Sequence, residues 1–466
     1  MDAVTRIINE ANDILWTYVL IAMLLGCAVW FSIKTRFVQF RMIGEMVRLL
    51  GDSTVKINGH ENHISSFQAF TVSLASRVGT GNLAGVATAI TVGGPGAVFW
   101  MWIIALLGAS SAFVESTLAQ LFKTRGKHSY IGGPAYYMEK GLKKRWMGVI
   151  FAVLITITFG FAFNSVQSNT ICAAFNSAFN ISPELMGMGI TLLTIVIIFG
   201  GIHRIASVSS VIVPIMALGY IVLALFIVAC NITKLPDVIS LIVSNAFGVE
   251  QAVGGGVGAA LMQGIKRGLF SNEAGMGSAP NAAAAAHVTH PAKQGLIQAL
   301  GVFTDTLVIC SCTAFIILFS GAYTSAQLDG IQLTQVALNS EIGSIGGLFV
   351  AIAILFFAYS SILGNYYYGE ANIQFITQKK WIIYVYRILV GGMVYFGSVA
   401  SLKLVWNLAD FTMALMAICN LIAIILLGKY AFRLLNDYLS QKRNGIKSPT
   451  FHKESMKDIE EDISCW

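Results

Sequence analysis

The sequence predicts an all-α protein that crosses a membrane about eleven times, and three observations support that fold class. The chain of 466 residues is 56% hydrophobic and only 11% charged, whereas a soluble domain has about 25% charged residues. Apolar stretches long enough to cross the hydrocarbon of a bilayer recur from end to end. Three of them carry polar or glycine-rich stretches near their centres. This pattern is typical of a polytopic membrane protein and argues against a soluble enzyme.

The apolar stretches follow one another with short connections. The first has no basic leader before it and no small-residue cleavage site after it, so we predict a retained helix. Residues 34–64 are amphipathic and basic, which is typical of a segment lying on the membrane surface. The second, seventh and ninth spans are interrupted by polar or glycine-rich stretches. The candidate spans lie near residues 14–33, 66–92, 97–121, 147–175, 185–200, 207–230, 250–285, 295–320, 345–376, 382–400 and 404–432.

Lys and Arg residues concentrate on one side of the predicted topology. They occupy the loops after odd-numbered spans and the C-terminal tail, whereas the opposite side holds only Arg6, Lys234 and Lys403. The positive-inside rule predicts an external N-terminus and a cytoplasmic C-terminal tail, which we expect to be disordered after Tyr438. The net charge of +7 therefore reports topology, and no nucleic-acid partner is expected.

The second span is interrupted by Arg77-Val78-Gly79-Thr80-Gly81-Asn82. These residues favour an unwound helix, which survives in a bilayer only where it is buried in protein or lines a cavity. Transporters bind ions and small solutes at such breaks. The glycines alone are equally consistent with close helix packing, because Gly81 and Gly85 form a small-xxx-small pattern. The neighbouring hydroxyl, amide and guanidinium favour a binding site.

The seventh span carries the second break, from Gln263 to Asn281, which contains Pro280, several glycines and Glu273. A regular lipid-facing helix is excluded there. The interrupted spans are five apart and cross in opposite directions, so spans two to six and seven to eleven are predicted to form two inverted five-helix repeats. The predicted division is an N-terminal helix with its amphipathic cytoplasmic connection, the first repeat, the second repeat and a cytoplasmic tail, at residues 1–64, 65–231, 232–433 and 434–466.

Both breaks resemble motifs of the sodium:alanine (or glycine) symporter family. The residues that carry the resemblance are Gly79-Thr-Gly-Asn-Leu-Ala-Gly-Val-Ala-Thr-Ala-Ile, Gly93-Gly-Pro-Gly-Ala-Val-Phe-Trp-Met-Trp102 and Phe270-Ser-Asn-Glu-Ala-Gly-Met-Gly-Ser-Ala-Pro280. The resemblance implies a LeuT-like 5+5 inverted-repeat fold with one extra N-terminal helix. It also implies that the protein imports alanine, glycine or serine with sodium by alternating access, in the inner membrane of a bacterial or archaeal cell. No cofactor other than the co-transported sodium ion is expected.

The resemblance also implies a substrate site at the breaks. In the wider LeuT-like superfamily, backbone N–H groups after the first break bind the substrate carboxylate at the positive end of a half-helix. Thr80 and Gly81 occupy those positions here. Gln167 resembles a substrate-contacting glutamine of the family, although a hydrogen bond between helices is its structural alternative. The remaining predicted substrate-binding residues are Gly268, Asn272, Gly275 and Asn365.

Two sodium sites follow from the same resemblance. Asn82 would bind the first ion, and Asp305 either supplies its negative charge or pairs with a buried cation such as Arg77. Oxygen ligands suit a hard cation such as sodium. The ligands predicted for the second ion are the carbonyls of Ala75, Val78 and Phe357 and the hydroxyls of Ser360 and Ser361. Each serine hydroxyl has an alternative partner, the carbonyl four residues earlier in its own helix.

Two further acidic residues have predicted structural roles. Glu115 in span three is expected to cap backbone N–H groups of the broken seventh span. Glu273 is expected to pair with Arg77 or Arg267.

Residue 365 departs from the family pattern. Many members carry Trp at this position, whereas Asn365 leaves more room and adds a donor and an acceptor. An importer of amide-bearing amino acids is therefore an alternative to an alanine transporter. Proton coupling through Asp305 or Glu273 is the alternative to sodium coupling. A channel would need a continuous polar pore, and here the polar residues cluster at two breaks.

Overall fold

The computed structural model describes residues 2–52, 64–126, 129–199, 201–248, 256–325 and 328–466. Most of these residues are helical, which confirms the predicted all-α class. Part of the amphipathic connection and the start of the seventh span, at residues 53–63 and 250–255, lie outside the described residues. One short antiparallel pair of strands, β1 (Thr124–Arg125) and β2 (Tyr130–Ile131), follows the third span.

Eight helical stretches in the described part of the chain are long and apolar enough to cross a membrane. Two further apolar helices, Gly81–Gly93 and Pro183–Ile198, are shorter. The spans with central breaks divide into pieces that are individually too short, so the count of eleven crossings stays a prediction. The eight long stretches are Ile8–Lys34, Gly96–Leu121, Arg145–Phe179, Val211–Cys230, Pro291–Ser320, Ile345–Ile376, Lys380–Val399 and Leu402–Arg443.

The N-terminal helix packs on the C-terminal half of the chain. Trp16 is fully buried, and its Nε1 donates a hydrogen bond of 3.2 Å to the carbonyl of Asp410. A π-helical turn, Leu15–Leu20, joins the first two helical segments. The segments of this region are α1 (Asp2–Ile14), α2 (Ile21–Lys34), α3 (Val38–Arg41) and α4 (Ile43–Leu50).

Helix α4 is anchored through Glu45. Partial burial would raise the pKa of this carboxyl, but hydrogen bonds from Arg48, Tyr438 and Lys442 lower it to about 2. Glu45 is therefore ionised at neutral pH and joins the surface segment to the last helix of the protein.

The first repeat begins with a capping box. The Ser65 hydroxyl accepts from the N–H of Gln68, and the Gln68 side chain accepts from the N–H of Ser65, both at 3.0 Å, which stabilises the start of α5. π-helical turns occupy Gly81–Gly85 and Thr158–Phe163. The helices are α5 (Ser66–Arg77), α6 (Val86–Gly93), α7 (Gly96–Leu121), α8 (Pro134–Lys140), α9 (Arg145–Ile157), α10 (Asn164–Phe179), α11 (Pro183–Ile198) and α12 (Gly201–Cys230).

The second repeat has the same kind of broken first span and includes a π-helical stretch, Phe303–Cys310. Its helices are α13 (Leu235–Ala246), α14 (Val257–Asn272), α15 (Ala279–Ala285), α16 (Pro291–Val302), α17 (Ser311–Ser320), α18 (Gly330–Ile342), α19 (Ile345–Ile376), α20 (Lys380–Val399) and α21 (Leu402–Arg443).

Both predicted breaks are present. Helix α5 ends at Arg77, because Val78 is extended with ψ of 91°. Between α14 and α15 the backbone of Glu273, Gly275 and Gly277 has φ of 57°, 83° and 88°, a region that glycine adopts without strain. Glu115 caps this second break as expected, since its carboxylate accepts from the N–H groups of Gly275 and Gly277 at 3.2 and 3.1 Å.

The predicted interruption of the ninth span is wrong, because α19 is one continuous helix from Ile345 to Ile376. Ser361 and Asn365 of this helix bond to neighbouring helices without any unwinding of α19. A β-carbon at Gly364 would lie 3.2 Å from the Ser76 backbone, so this glycine allows close packing of α19 against α5. Asn365 donates to Asn164 and accepts from Ser76.

The predicted disorder after Tyr438 is also wrong. Helix α21 continues to Arg443, and the residues after it lie on the protein surface with several apolar side chains buried. Charge density alone predicted a solvated tail, whereas the apolar residues spaced along it find partners only in the folded structure.

Candidate functional site

The first break forms the centre of a buried polar site. A β-carbon on Gly79 would lie 2.2 Å from the Ser361 hydroxyl and 2.8 Å from Oε1 of Gln167. Only glycine fits between these two side chains, so three spans approach one another at this residue. The N–H of Gly79 donates to Oδ1 of Asn82 at 2.9 Å, which stabilises the unwound backbone.

The predicted carboxylate-binding residues lie beside Gln167. The N–H of Thr80 donates to Oε1 of Gln167 at 2.9 Å, so the structure joins the broken span to α10 at this position. The Thr80 hydroxyl is buried and has no hydrogen-bond partner among the described residues. A β-carbon on Gly81 would lie 3.1 Å from the Ser271 backbone, so the second break packs directly against the first.

A cluster of oxygen atoms surrounds Asp305, and we call it the Asp305 cluster. Asn82 Nδ2 donates to one carboxylate oxygen of Asp305 at 2.7 Å. The hydroxyls of Ser271 and Thr306 donate to the other oxygen at 2.7 and 2.8 Å. The structure thus brings Asp305 to Asn82 and not to Arg77. This buried carboxylate with two hydroxyl oxygens beside it has the ligand chemistry of a sodium site.

A second cluster surrounds Ser361 and contains the oxygens predicted for the second ion. The Ser361 hydroxyl lies 2.8 Å from the carbonyl oxygen of Ala75, 3.4 Å from that of Val78 and 3.1 Å from that of Phe357. The Ser360 hydroxyl instead donates to the Phe357 carbonyl at 2.8 Å, within its own helix. We call these five residues the Ser361 cluster. It joins α19 to the backbone immediately before the first break.

Asn365 belongs to a network that links four segments. Its Oδ1 accepts from the Ser76 hydroxyl at 2.9 Å, and its Nδ2 donates to Asn164 Oδ1 at 3.1 Å. The Ser76 hydroxyl is also 2.6 Å from a carboxylate oxygen of Glu273, whose other oxygen accepts from Ser278 at 2.5 Å. The amide of Asn365 therefore has a fixed orientation at the side of the first break.

The expected ion pairs of Glu273 are not observed. Glu273 bonds to the two serines, and Arg267 pairs with Asp410 at 2.6 Å. Arg77 is buried, donates to the carbonyl of Gln298 at 3.2 Å, and its Nε and Nη2 have no partner among the described residues. Sequence spacing could not decide these partners, because several acids and bases of the two breaks lie at similar depth.

Three other predicted substrate residues have their contacts away from Gly79. A β-carbon on Gly268 would meet Ile104 of α7 at 2.6 Å, so this glycine serves helix packing. Gly275 faces α7 and α21, where its N–H is capped by Glu115 and its carbonyl accepts from Asn420 at 2.9 Å. Asn272 accepts from the N–H of Ala274 at 3.0 Å, and its buried Nδ2 has no partner among the described residues.

Aromatic rings and an ion pair close the site on the side where α14 lies. Phe270 contacts Phe163 and Trp406, with ring centroids 4.4 and 4.6 Å apart. Arg267 stacks over Trp406 at 4.2 Å and binds Asp410. Phe270, Trp406 and Arg267 are at most 5% exposed, so they form a buried layer on the α14 side.

Sequence reasoning missed several residues that the structure places here. Ser271 precedes Asn272 in the second motif, and Thr306 follows Asp305. Their position beside predicted site residues was a signal that their hydroxyls belong to the site. For Ser76 and Asn164, the only indication of a place in the site was a polar side chain within an apolar span. The contact between Arg267 and Asp410 spans 143 positions of the chain and had no signal in a single sequence.

Comparison with known proteins assigns the family. The family model described as "Sodium:alanine symporter family" matches residues 1–453. The chain is 55% identical over 461 residues to a "Probable sodium/glutamine symporter GlnT" of Bacillus subtilis (strain 168), covering 99% of this chain and 96% of that relative. It is 52% identical over 453 residues to the "Amino-acid carrier protein AlsT" of the same organism, covering 97% and 96% of the two chains.

The fold has solved counterparts at low sequence identity. The crystal structure of MhsT in complex with L-phenylalanine has a TM-score of 0.56 and 14% identity, and the match covers 88% of this chain and 94% of that one. This likeness supports the LeuT fold alone. The match to the family model over almost the whole chain, with the two relatives, shows that the protein belongs to the sodium:alanine symporter family and carries out sodium-coupled amino-acid transport across a membrane.

Proposed function

We propose that this protein imports small neutral amino acids, with alanine, glycine and serine as candidates, by alternating access driven by sodium. One observation carries the proposal: the Ser361 cluster and the predicted carboxylate site share the backbone of the first break. Ser361 contacts the carbonyls of Ala75 and Val78, and Thr80 and Gly81 follow directly in the chain. An ion bound at this cluster orders the same backbone that presents the N–H groups to the substrate.

The substrate carboxylate is proposed to replace the Gln167 side chain at the N–H of Thr80. Gln167 Oε1 now accepts that hydrogen bond, so a ligand oxygen has an established donor at this point. The Thr80 hydroxyl, buried without a partner among the described residues, supplies a second donor. A buried donor left unpaired is costly, and a bound carboxylate would satisfy it.

The Asp305 cluster is the proposed first sodium site. In the structure Asn82 directs its amide nitrogen to Asp305 and its oxygen to Gly79. When sodium binds, the hydroxyl oxygens of Ser271 and Thr306 and the Asp305 carboxylate serve as ligands. The carboxylate compensates the charge of an ion that has left water, which a neutral shell does less well.

A larger, amide-bearing substrate such as glutamine is the second candidate, and two observations favour it. Asn365 stands where many family members carry Trp, and its amide is part of the network beside the first break. In addition, the 55% identical relative is named as a probable sodium/glutamine symporter. Asn365 has a smaller side chain than Trp, and we propose that the substrate amide occupies the difference in volume.

The size of residue 365 provides a test of substrate choice. The variant Asn365→Trp should lower the ratio of glutamine to alanine uptake by at least about tenfold, because steric discrimination in such pockets is typically 10- to 200-fold. Asn365→Ala removes the amide without adding bulk beside the first break, so it should lower this ratio less. Competition between the two labelled amino acids in one vesicle preparation measures the ratio, and an unchanged ratio in Asn365→Trp would place the specificity elsewhere.

The activity itself is tested in proteoliposomes. Uptake of labelled alanine, glycine, serine and glutamine is compared under an imposed sodium gradient and an imposed proton gradient. Accumulation driven by sodium alone supports the proposal. Accumulation driven by protons alone, and abolished by Asp305→Asn, would instead support proton coupling through Asp305.

The proposed orientation places the C-terminal end in the cytoplasm of a bacterial or archaeal cell, with the protein in the inner membrane. A reporter fused after residue 466 should be active in the cytoplasm, and one inserted at Leu328 should report the outside. Alkaline phosphatase and fluorescent protein fusions measure the two positions. Both reporters active on one side would contradict the inverted arrangement of the repeats.

A further inference from the structure

The residues after α21 form an ordered segment across one end of the protein. We call residues 446–466 the C-terminal strap. Four of its apolar side chains are at most 6% exposed, namely Phe451, Met456, Ile459 and Ile463. A segment with this burial is packed as part of the fold, although it is short and carries several charges.

The beginning of the strap is fastened to the connection between α15 and α16. The N–H of Phe451 donates to the carbonyl of Thr289, and the Thr289 hydroxyl donates to the carbonyl of Pro449, both at 2.8 Å. Lys293 of α16 donates to the Ser448 hydroxyl at 2.8 Å and to Asp52 at 2.7 Å. These bonds hold the strap against the end of the second broken span.

The middle of the strap is held by charges at the surface. Arg433 of α21 binds the carboxylate of Asp458 at 2.7 Å. Lys143, in the connection between α8 and α9, forms an ion pair with Asp462. Because these pairs are exposed, each contributes little by itself. They direct the path of the strap towards its last residue.

The last residue, Trp466, is the point where the strap meets the transport helices. Its Nε1 donates to the carbonyl of Gln120 at 2.9 Å, and the ammonium of Lys123 lies 4.4 Å from its ring. The ring packs on a small apolar cluster formed by Ile64, Ala69, Ala285, Ala286 and Val288. This cluster contains the start of α5 and the end of α15, the half-helices on the side of the site opposite α14.

Contacts between α5 and α15 close the site on this side. The carbonyl of Ile64 accepts from the N–H of His287 at 3.0 Å, and Ile64 pairs with Ala286 as an isolated bridge. Nearer the site, Ser76 and Ser278 bind the two oxygens of Glu273. A path from the first break to the cytoplasmic side requires α5 to separate from α15. Trp466 packs on the apolar cluster that joins these two segments and bonds to the neighbouring end of α7.

We propose that the C-terminal strap is a latch that holds the cytoplasmic side of the transporter closed, with Trp466 as the residue that joins α5, α7 and α15. Opening towards the cytoplasm removes the Trp466 ring from the apolar cluster and breaks its bond to Gln120. The latch therefore stabilises states closed on that side, and its release accompanies discharge of the ions and substrate. This inference depends on the proposed alternating access and orientation, but not on which amino acid is carried.

The test measures access to the site and not transport. The seven native cysteines are replaced, and Ser278→Cys introduces one thiol between the site and α15, at a distance from the strap. A membrane-impermeant maleimide is applied to the cytoplasmic face of inside-out vesicles. Reaction at residue 278 reports separation of α5 from α15, because this side chain is buried in the closed structure.

Two variants weaken the latch, and both have a control. Trp466→Ala should raise the labelling rate at least about fivefold, the lower limit of typical coupling between distant sites, while Trp466→Phe retains most of the ring and most of the protection. Trp146→Ala, which removes a tryptophan that is 63% exposed, should leave the rate unchanged. Asp462→Lys should also speed labelling, because it places a cation beside Lys143.

A charge exchange separates a latch from a general loss of structure. Adding Lys143→Glu to Asp462→Lys restores an ion pair of reversed polarity and should restore slow labelling. Lys143 is 66% exposed and Asp462 is 19% exposed, so we expect these variants to retain the fold even if Trp466→Ala does not. Unchanged labelling in both Trp466→Ala and Asp462→Lys would overturn the latch. If the strap variants change the labelling rate as expected but the native protein shows no sodium-driven uptake, the latch stands and the proposed function is wrong.

Discussion

Gly79→Ala should strongly weaken the coupled binding of sodium and substrate. The added methyl group would lie 2.2 Å from the Ser361 hydroxyl and 2.8 Å from Gln167 Oε1, so it displaces one residue of each proposed site. Overpacking of this kind costs about 1–3 kcal/mol, which corresponds to roughly a 5- to 150-fold loss of affinity. Isothermal titration of the purified protein with alanine, at fixed sodium concentrations, measures the loss.

The matched control is Gly85→Ala. Gly85 is the last residue of the π-helical turn that begins at Gly81. A β-carbon there would lie 3.7 Å from its nearest neighbours, an ordinary contact. Gly85→Ala should therefore bind sodium and substrate normally. If Gly79→Ala binds them normally and only its melting temperature falls, the first break is a packing feature and the proposed site is wrong.

Gly81 also has little space for a side chain, although its neighbours are less close than those of Gly79. A β-carbon there would lie 3.1 Å from Ser271 and Phe270, so a larger residue such as Val forces the two breaks apart. The close approach explains why the second motif packs against the first.

Ser361→Ala should raise the sodium concentration for half-maximal binding by about 10- to 150-fold. A hydrogen-bond or ligand interaction with a charged partner contributes about 1.5–3 kcal/mol, and this range converts to the stated factor. Loss of the hydroxyl leaves the volume of the side chain nearly unchanged, so the fold is retained. The midpoint is measured from sodium-dependent binding of labelled alanine at two pH values.

Linkage provides an internal check on the same experiment. Sodium must tighten substrate binding by the factor by which substrate tightens sodium binding. At saturating sodium, Ser361→Ala should recover most of its affinity for the substrate, because the missing ligand weakens the ion and not the carboxylate site. A midpoint that stays constant would show that the Ser361 cluster does not bind the coupling ion.

Ser360→Ala is the matched variant. Its hydroxyl donates to the Phe357 carbonyl of its own helix, whereas the Ser361 hydroxyl lies between three carbonyls of two helices. The sodium midpoint should therefore move less in Ser360→Ala than in Ser361→Ala. Equal shifts would mean that Ser360 turns towards the ion when it binds.

The sequence by itself determined the class of the protein and the two breaks. Long apolar stretches without charges can be stable only in a membrane or a large core. Gly79, Gly81 and the glycines after Glu273 cannot continue a lipid-facing helix together with their polar neighbours. These are local properties of composition, and the breaks in the structure lie where the motifs predicted them.

Only the tertiary structure decided which polar groups meet. Gly364 and Asn365 suggested a third break, but α19 is continuous because Ser76 and Asn164 satisfy the asparagine. Asp305 had two candidate partners, and the packing of the π-helical stretch against the first break brought it to Asn82. The strap buries Phe451 and Ile463 in the main core, and Trp466 packs on a separate small cluster that includes Ile64 and Ala286. Such contacts join residues hundreds of positions apart in the chain. The local sequence around each residue does not show which distant residues lie near it in the folded protein.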